Sequence, residues 1–182
     1  DFQDQLIHYI KEHDTFIQPK HRKNEILGFL RQPLSDLCIS RPKSRLNWGI
    51  ELPFDGDYVT YVWFDALINY ITVTGYFTDE SSFKKWWPAN YHLIGKDILT
   101  THAVYWPTML MSAGLPLPKS IFAHGWWISG ESKMSKSVGN VINPLDLIEE
   151  YGVDPVRYYL MREMVLGQDA NFTMDSFIKR YN

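Results

Sequence analysis

The sequence is poor in cysteine, and Cys38 is the only one among its 182 residues. A single thiol excludes a disulfide framework and a cysteine-rich zinc site within these residues, and it is typical of a reducing compartment. No apolar run approaches the roughly 18 residues of a membrane-spanning helix, and no signal peptide is visible. We therefore expect a cytoplasmic protein with no membrane partner; an organellar protein without its targeting peptide would look the same.

The chain also has fewer basic than acidic residues. Lysine and arginine total 18 against 21 aspartates and glutamates, so the formal net charge is −3. Such a chain has no overall field for nucleic acid, and any contact of that kind must rest on local patches. Aromatic residues are abundant by contrast, because seven tryptophans and eleven tyrosines exceed the needs of packing and indicate ligand pockets.

Alternating strand-like and helix-like segments predict an α/β fold with a doubly wound parallel sheet. In the amino-terminal part we expect helices over 2–13, 22–31 and 65–75, and strands over 36–42 and 58–64. The strand "YVTYVWF" at 58–64 is predicted to be buried on both faces. The segment before it is predicted to be a loop with a turn at "DGD".

In the carboxyl-terminal part we expect strands over 91–95 and 120–129 and helices over 98–114, 143–152, 154–164 and 173–182. Asp97 can cap the first of these helices and Asn143 the second. In open parallel sheets, ligands bind where strands end and helices begin. Three such junctions carry functional residue types, namely "VWFDALINY", "IGKDILTTH" and "AHGWWISGESKMSKSVGN".

The last junction contains a polar loop, "ESKMSKSVGN" at 131–140, which has neither helical nor strand periodicity. Two lysines and three serines suit a polyphosphate, because ammonium groups neutralise its oxygens and hydroxyls add hydrogen bonds. The loop lacks the spacing G-x-x-x-x-G-K-[ST], which excludes a P-loop. On composition alone, a solvated surface loop fits equally well.

Within this loop, "KMSKS" at 133–137 is the signature of the class I aminoacyl-tRNA synthetases. Together with "WGIELP", "YVWFDALINYIT", "HLIGKDIL", "HGWW" and "GVDPVRYYL", it makes essentially the whole chain resemble the second half of a methionyl-tRNA synthetase catalytic domain. The resemblance implies a Rossmann-like domain over 1–142 and a helical linking segment over 143–182. It also implies a ligase that activates methionine with ATP and transfers it to the tRNA 3′ end.

The resemblance implies a role for each matching residue. Lys133, Lys136 and Ser135 would act in catalysis, the lysines by holding pyrophosphate as its charge develops. The implied ATP-binding residues are Gly95, Asp97, His124, Gly125, Trp127 and Met134. The implied methionine-binding residues, whose aromatic faces suit a thioether, are Trp63, Ala66, Leu67, Tyr70, Ile98, His102 and Trp106. A plain helix cap stays open for Asp97, and a place in the core stays open for Trp127 and the aromatic set.

Other parts of the family pattern are absent: the chain has no His-x-Gly-His turn and no cysteine knuckle for zinc. We therefore expect a segment of a longer enzyme, with negligible methionine-dependent ATP–pyrophosphate exchange on its own. The implied partners are ATP with Mg²⁺, L-methionine and methionine tRNA, and zinc would belong to an amino-terminal part. Two rival interpretations stay open. One is a class I synthetase for leucine, isoleucine, valine or cysteine, and the other is a non-catalytic module that binds tRNA or a protein.

Overall fold

The computed structural model describes residues 1–130, 132–135, 137 and 139–182. Its elements in chain order are α1 (Gln3–Glu12), β1 (Ile17–Gln18), α2 (Lys20–Phe29), β2 (Ser40–Pro42), β3 (Glu51–Leu52), β4 (Asp55–Thr60), α3 (Val62–Thr72), α4 (Glu80–Trp86), β5 (His92–Gly95), a 3-10 turn (Lys96–Ile98), a π-helical segment (Thr101–Tyr105), α5 (Trp106–Ser112), β6 (Ile121–His124), β7 (Trp127–Ser129), β8 (Ser132–Lys133), α6 (Pro144–Tyr151), α7 (Val153–Glu163), β9 (Ala170–Asn171) and α8 (Met174–Tyr181). Among these described elements, none combines the length and apolar content that a helix needs to cross a membrane.

A parallel sheet of order β1-β6-β5 lies at the centre of the α/β part. Ile121 of β6 pairs with Ile17 on one side and with His92 on the other. Helix α1 packs into this core because Leu6 and Ile10 are four residues apart, share one face and are fully buried. The predicted α/β fold with a parallel sheet is therefore confirmed, although the two-residue strand β1 was not predicted.

The second sheet, of order β2-β4-β3, is antiparallel, and it corrects the prediction for 58–64. Strand β4 ends at Thr60, and only Val59 of its residues is buried, so the run is not a strand buried on both faces. Helix α3 begins at Val62 because Leu67 and Ile71, four residues apart, pack into a second core cluster. The predicted loop before 58 contains β3, and its turn lies at 53–54 rather than at "DGD".

The third sheet, of order β8-β7-β9, corrects the single strand predicted over 120–129. That stretch breaks into β6 and β7, which belong to different sheets. The break occurs at Gly125, where an added Cβ would lie 2.0 Å from the backbone oxygen of Gln168. The loop predicted at 131–140 also contains a short strand, since Lys133 of β8 pairs with Ile128 of β7.

The helix caps predicted at Asp97 and at Asn143 have different outcomes in the structure. The helix expected over 98–114 is a 3-10 turn, a π-helical segment and α5 in succession, and Asp97 lies inside the 3-10 turn, where Gly95 takes the cap position. The cap at Asn143 is confirmed, because its side chain accepts the Leu145 N–H at 3.1 Å. Helix α6 then packs with α7 and α8 in a third core cluster around Tyr159 and Phe177.

Candidate active site

The carboxyl ends of β5 and β6 lie side by side and bring together most of the predicted nucleotide-binding residues. Gly95 pairs with His124 in the parallel register, and an added Cβ at Gly95 would come within 2.6 Å of the Asp97 carboxylate. Gly95 therefore lets the backbone pass close to Asp97, and His124 is exposed beside it. Ligands of open parallel sheets bind at this edge.

Asp97 belongs to a network that sequence analysis missed. Its Oδ1 accepts the indole N–H of Trp126 at 3.2 Å. The backbone N–H of Trp126 donates to Asp169 Oδ1 at 2.8 Å, and Lys96 Nζ lies 2.6 Å from Asp169 Oδ2. The contact with Lys96, and then the Trp126 N–H, hold the pKa of the Asp169 carboxyl below its usual range.

The lysine loop follows this edge in the chain, because β7 begins three residues after β6 ends and leads into the loop. Lys133 lies in β8, paired with β7. Beyond it, the Ser135 N–H donates to the Asn140 side chain at 2.8 Å and its hydroxyl lies 2.8 Å from that of Ser137. These contacts join Ser135 to two residues that follow it in the chain. Lys136 lies outside the described residues, so its predicted role stays a prediction.

Three of the predicted nucleotide-binding residues have structural partners of their own. The Trp127 ring lies 5.7 Å from Tyr159 and packs with Met134 against the third core cluster. Gly125 is buried against the backbone at Gln168, which explains a glycine at that position. The core alternative for Trp127 thus fits its surroundings, and Trp126 is the tryptophan that reaches Asp97.

Helix α3 and the π-helical segment bring two of the predicted methionine-binding residues, Tyr70 and His102, into contact. The Tyr70 hydroxyl lies 2.9 Å from His102 Nε2, and His102 Nδ1 lies 3.0 Å from the Ile98 carbonyl oxygen. Since a carbonyl only accepts, Nδ1 of His102 carries the proton and Nε2 accepts from Tyr70. The chain of contacts therefore fixes both the ring and the tautomer of His102.

A second buried histidine, His92, completes this cluster. The Trp106 indole N–H donates to His92 Nε2 at 3.2 Å, and the ring centre of Tyr70 lies 4.2 Å from that of His92, with the two rings tilted by 44°. Burial, followed by the nearby His102, lowers the pKa of His92 to about 4. Burial also lowers the pKa of His102. Both rings are therefore neutral at physiological pH, and this buried cluster carries polar groups without charge.

The remaining members of the methionine set differ in accessibility. Trp63 and Trp106 line a cleft of about 910 Å³ whose other walls include Phe2 and Phe29. Leu67 is buried in the second core cluster, whereas Ala66 is exposed on α3. The structure thus gathers Trp63, Tyr70, His102 and Trp106 in one aromatic region, in which Leu67 also has a packing role.

Comparison with known proteins places this geometry in a family. The family model described as "tRNA synthetases class I (M)" matches residues 1–182. The chain belongs to the class I tRNA synthetases. The recognition made from the lysine loop and the strand-end motifs is therefore confirmed.

Curated relatives of this synthetase segment include methionine–tRNA ligases from two bacteria. The protein of Rickettsia conorii is 50% identical over 181 residues, covering 100% of this chain and 35% of the relative. The protein of Clostridium acetobutylicum is 54% identical over 183 residues, covering 100% of this chain and 28% of the relative. The chain thus spans about a third of the length of these relatives.

Solved structures give the same result for the fold of the synthetase segment. Mycobacterium tuberculosis methionyl-tRNA synthetase in complex with methionyl-adenylate superposes with a TM-score of 0.92 at 47% identity, covering 100% of this chain and 35% of that one. The apo form of the same protein gives a TM-score of 0.87 at 42% identity, covering 98% and 34%.

Sequence reasoning missed four residues that lie in the candidate site: His92, Lys96, Trp126 and Asp169. His92 had a signal, because it shares the inward face of β5 with Ile94 in a period-2 pattern. Lys96 and Trp126 sit inside the "GKD" and "HGWW" motifs. Asp169 had no signal, since 73 residues separate it from Lys96.

Proposed function

We propose that this chain supplies the methionine-binding region and the pyrophosphate-binding loop of a methionine–tRNA ligase. The observation that carries the proposal is the chain of contacts between the two sets. Asp97 lies beside the carboxyl ends of β5 and β6, and the lysine loop follows β6 and β7 along the chain. The neutral cluster of Tyr70 and His102 is connected to the same edge through Ile98, the residue after Asp97. Methionine and ATP can therefore meet at this edge.

The proposed reaction begins with attack of the methionine carboxylate on the α-phosphate of ATP, with pyrophosphate as the leaving group. Lys133 and Lys136 neutralise the charge that develops on the departing phosphates, while Ser135 keeps the loop folded. The glycine backbone at Gly95 approaches the nucleoside, and Asp97 accepts ribose hydroxyls. The positions of these groups, rather than covalent chemistry by the protein, supply the rate enhancement.

The substrate pocket is proposed to select methionine by shape and by aromatic contact. The faces of Trp63 and Tyr70 suit a thioether, for which sulfur–aromatic contacts contribute about 0.3–1.5 kcal/mol each. His102 forms a neutral polar wall, and Leu67, Ala66, Ile98 and Trp106 complete the set. A pocket lined by small aliphatic groups, as leucine or valine would need, does not fit these residues.

The same proposal covers the metal, the partners and the place of action. Mg²⁺ would arrive bound to the phosphates of ATP and supply charge neutralisation there; the described residues contain no cluster of three or more histidine, cysteine or acidic side chains suited to a metal ion. Methionine tRNA would be the acceptor, and segment 143–182 would link the domain over 1–142 toward the tRNA-binding part. We place the reaction in the cytoplasm, in keeping with the free, exposed thiol of Cys38.

The decisive experiment is amino-acid-dependent ATP–pyrophosphate exchange by the full-length enzyme that carries this segment. We expect exchange with methionine and at least a hundredfold less with leucine, isoleucine, valine or cysteine, a ratio on the scale that a well-fitted site gives. Preference for one of those amino acids would identify another class I synthetase. Binding of tRNA without any exchange would support the non-catalytic module instead.

A further inference from the structure

His92 is a buried histidine to which the proposed reaction assigns no role. It lies in β5 and is 5% exposed. Its backbone N–H donates to the Ser120 carbonyl oxygen at 2.9 Å, and it pairs with Ile121 in the parallel register of β5 and β6. The backbone of His92 is therefore fixed to the central sheet.

The imidazole of His92 contacts one residue on each of two helices that carry predicted methionine-binding residues. On α5, the Trp106 indole N–H donates to His92 Nε2 at 3.2 Å. On α3, the ring centre of Tyr70 lies 4.2 Å from that of His92. The Tyr70 hydroxyl then lies 2.9 Å from His102 Nε2. A single side chain of the sheet thus connects three members of the predicted methionine-binding set.

Trp106 depends on His92 because its indole N–H has almost no access to water. The tryptophan is 1% exposed, and its side chain has a single donor. A buried donor without a partner is costly, and a hydrogen bond is directional. The contacts of the indole with Tyr70 and Trp87, at 6.0 Å and 6.1 Å between ring centres, are less directional. The hydrogen bond to His92 therefore sets the rotation of the Trp106 ring.

His92 lies behind the surface that a ligand can reach. Trp63 and Trp106 line the cleft of about 910 Å³, and His92 is not among the described residues that line it. Any effect of His92 on a ligand there must therefore pass through the rings that it contacts. Because its Nε2 accepts a hydrogen bond, the neutral imidazole carries its proton on Nδ1. His92 thus fixes a ring of the cleft wall without placing a charge beside an apolar ligand.

We propose that His92 is a positioning residue for methionine recognition, which holds the Trp106 indole and the Tyr70 ring in the arrangement that binds the thioether side chain. The proposal rests on the proposed function, because it takes methionine as the ligand of this aromatic region. It adds to the predicted methionine-binding set a residue that touches no substrate. It also makes β5 contribute to both substrate sites, since Gly95 at the end of the same strand lies beside Asp97.

The first test uses two replacements of His92 in the full-length enzyme that carries this segment. His92→Phe keeps a planar ring beside Tyr70 but cannot accept the Trp106 indole N–H. We expect the KM for methionine to rise about tenfold, the scale of an unpaired buried donor, with kcat and the KM for ATP within about twofold. His92→Gln should keep the KM for methionine within about threefold of the wild type, because its side-chain oxygen can accept the same N–H.

Ser120→Ala is the matched control for the loss of a buried polar contact. Ser120 is 4% exposed, and its hydroxyl donates to the Thr15 carbonyl oxygen at 2.7 Å and accepts from Gln18 Nε2 at 3.0 Å. Gln18 belongs to β1, whereas Trp106 contacts β5 on the other side of β6. Ser120→Ala should therefore lower the free energy of unfolding, as His92→Phe does, and leave the KM for methionine within about twofold.

A double-mutant cycle isolates the contact between Trp106 and His92. Trp106→Phe removes the indole N–H, so adding His92→Phe to it should change the KM for methionine by less than about twofold. The same effect of His92→Phe in both backgrounds would overturn the proposal, because the effect would then not pass through the hydrogen bond. Equal increases in the KM for ATP and for methionine in His92→Phe would overturn it too, since they indicate a general loss of packing.

Nitrogen-15 NMR of the wild-type enzyme decides the matter if His92→Phe does not fold. His92 should be the Nδ1–H tautomer, and saturating methionine should shift the resonances of His92 Nε2 and of the Trp106 indole together. ATP alone should shift neither. A methionine-bound enzyme in which neither resonance moves would contradict the positioning role.

The outcomes also separate this proposal from the proposed function. Exchange driven by another amino acid, with a KM that rises in His92→Phe and not in Ser120→Ala, would contradict the proposed function and support the role of His92 in amino-acid binding. Methionine-dependent exchange with a methionine KM that His92→Phe leaves unchanged would contradict the positioning role alone.

Discussion

The two halves of the candidate site handle polar groups in opposite ways. Around Tyr70 and His102 the polar atoms are largely buried, neutral and paired with one another. Around Lys96 and Asp169 they are charged and remain partly accessible, with side chains 22% and 34% exposed. Burial of neutral, paired groups costs little, whereas burial of charges is expensive. This contrast is the reason why we propose a thioether as ligand of the first region and a polyphosphate as ligand of the second.

The largest effect is expected from a change in the charged half. Lys136→Ala in the full-length enzyme should lower the rate of adenylate formation by roughly 10²-fold or more, because a charged contact to the leaving pyrophosphate is lost. Methionine affinity should stay the same. Pre-steady-state adenylate formation and methionine binding measure the two quantities, with the exposed Lys119→Ala as control. Equal losses in rate and in methionine binding would indicate misfolding instead.

A complementary change tests the neutral half. Trp63→Ala should weaken methionine binding by about 2–4 kcal/mol, since an aromatic wall is removed and the pocket collapses in part. ATP binding should be nearly unchanged, so that the two halves respond independently. Calorimetry with each ligand checks this, and Trp86→Ala on the surface serves as the control. Equal losses for methionine and ATP would place Trp63 in the structural core rather than in the pocket.

The pKa of His92 gives a pH test of the same contrast. In the fold this pKa is about 4, below the ordinary value of 6.5, so the unfolded chain binds a proton first as the pH falls. The free energy of unfolding should therefore decrease between pH 6.5 and 4, by about 2–3 kcal/mol from this residue at pH 4.5. Urea unfolding at pH 7 and pH 4.5 measures it.

A variant that lacks the titrating imidazole, His92→Gln, is the control for this pH test. His92→Gln can still accept the Trp106 indole N–H but does not titrate, so its stability should depend less on pH than that of the wild type. If His92→Gln and the wild type lose the same free energy between pH 7 and pH 4.5, His92 is not the titrating group.

Secondary structure could be predicted from the sequence where local signals determine it, and not where distant contacts do. The end of β5 was predictable, because a short apolar strand that ends at Gly95 before a helical pattern has a clear local signal. The end of β6 at His124 was not, since the predicted strand continued to residue 129. The start of α3 was not, since "YVTYVWF" is short and aromatic and satisfies a strand pattern as well as a helix pattern. What decides it is the burial of Leu67 and Ile71 against Trp106, a contact with residues far along the chain.

Long-range contacts limited the prediction of the site in the same way. Tyr70 and His102 were placed together through the family resemblance, and the structure joins them by a hydrogen bond. Asp169 belongs to a segment whose position depends on β9 pairing with β7 and on the space left by Gly125. No local pattern encodes that pairing, so the charged half was predicted without Lys96, Trp126 and Asp169.

The smallest effect is expected where one neutral hydrogen bond is removed. In Tyr70→Phe, the His102 Nε2 loses its donor while Nδ1 still donates to Ile98. We expect a loss of about 1 kcal/mol, or roughly a fivefold increase in the methionine KM, because the ring of His102 is held at one end only. The KM for ATP should not change, and Tyr91→Phe on the surface should have no effect. Nitrogen-15 NMR of the imidazole adds a direct readout: His102 should be the Nδ1–H tautomer in the wild type and remain so in the variant. If Tyr70→Phe instead raises the KM for ATP as much as that for methionine, then the neutral and charged halves of the site are coupled, and the division between them is wrong.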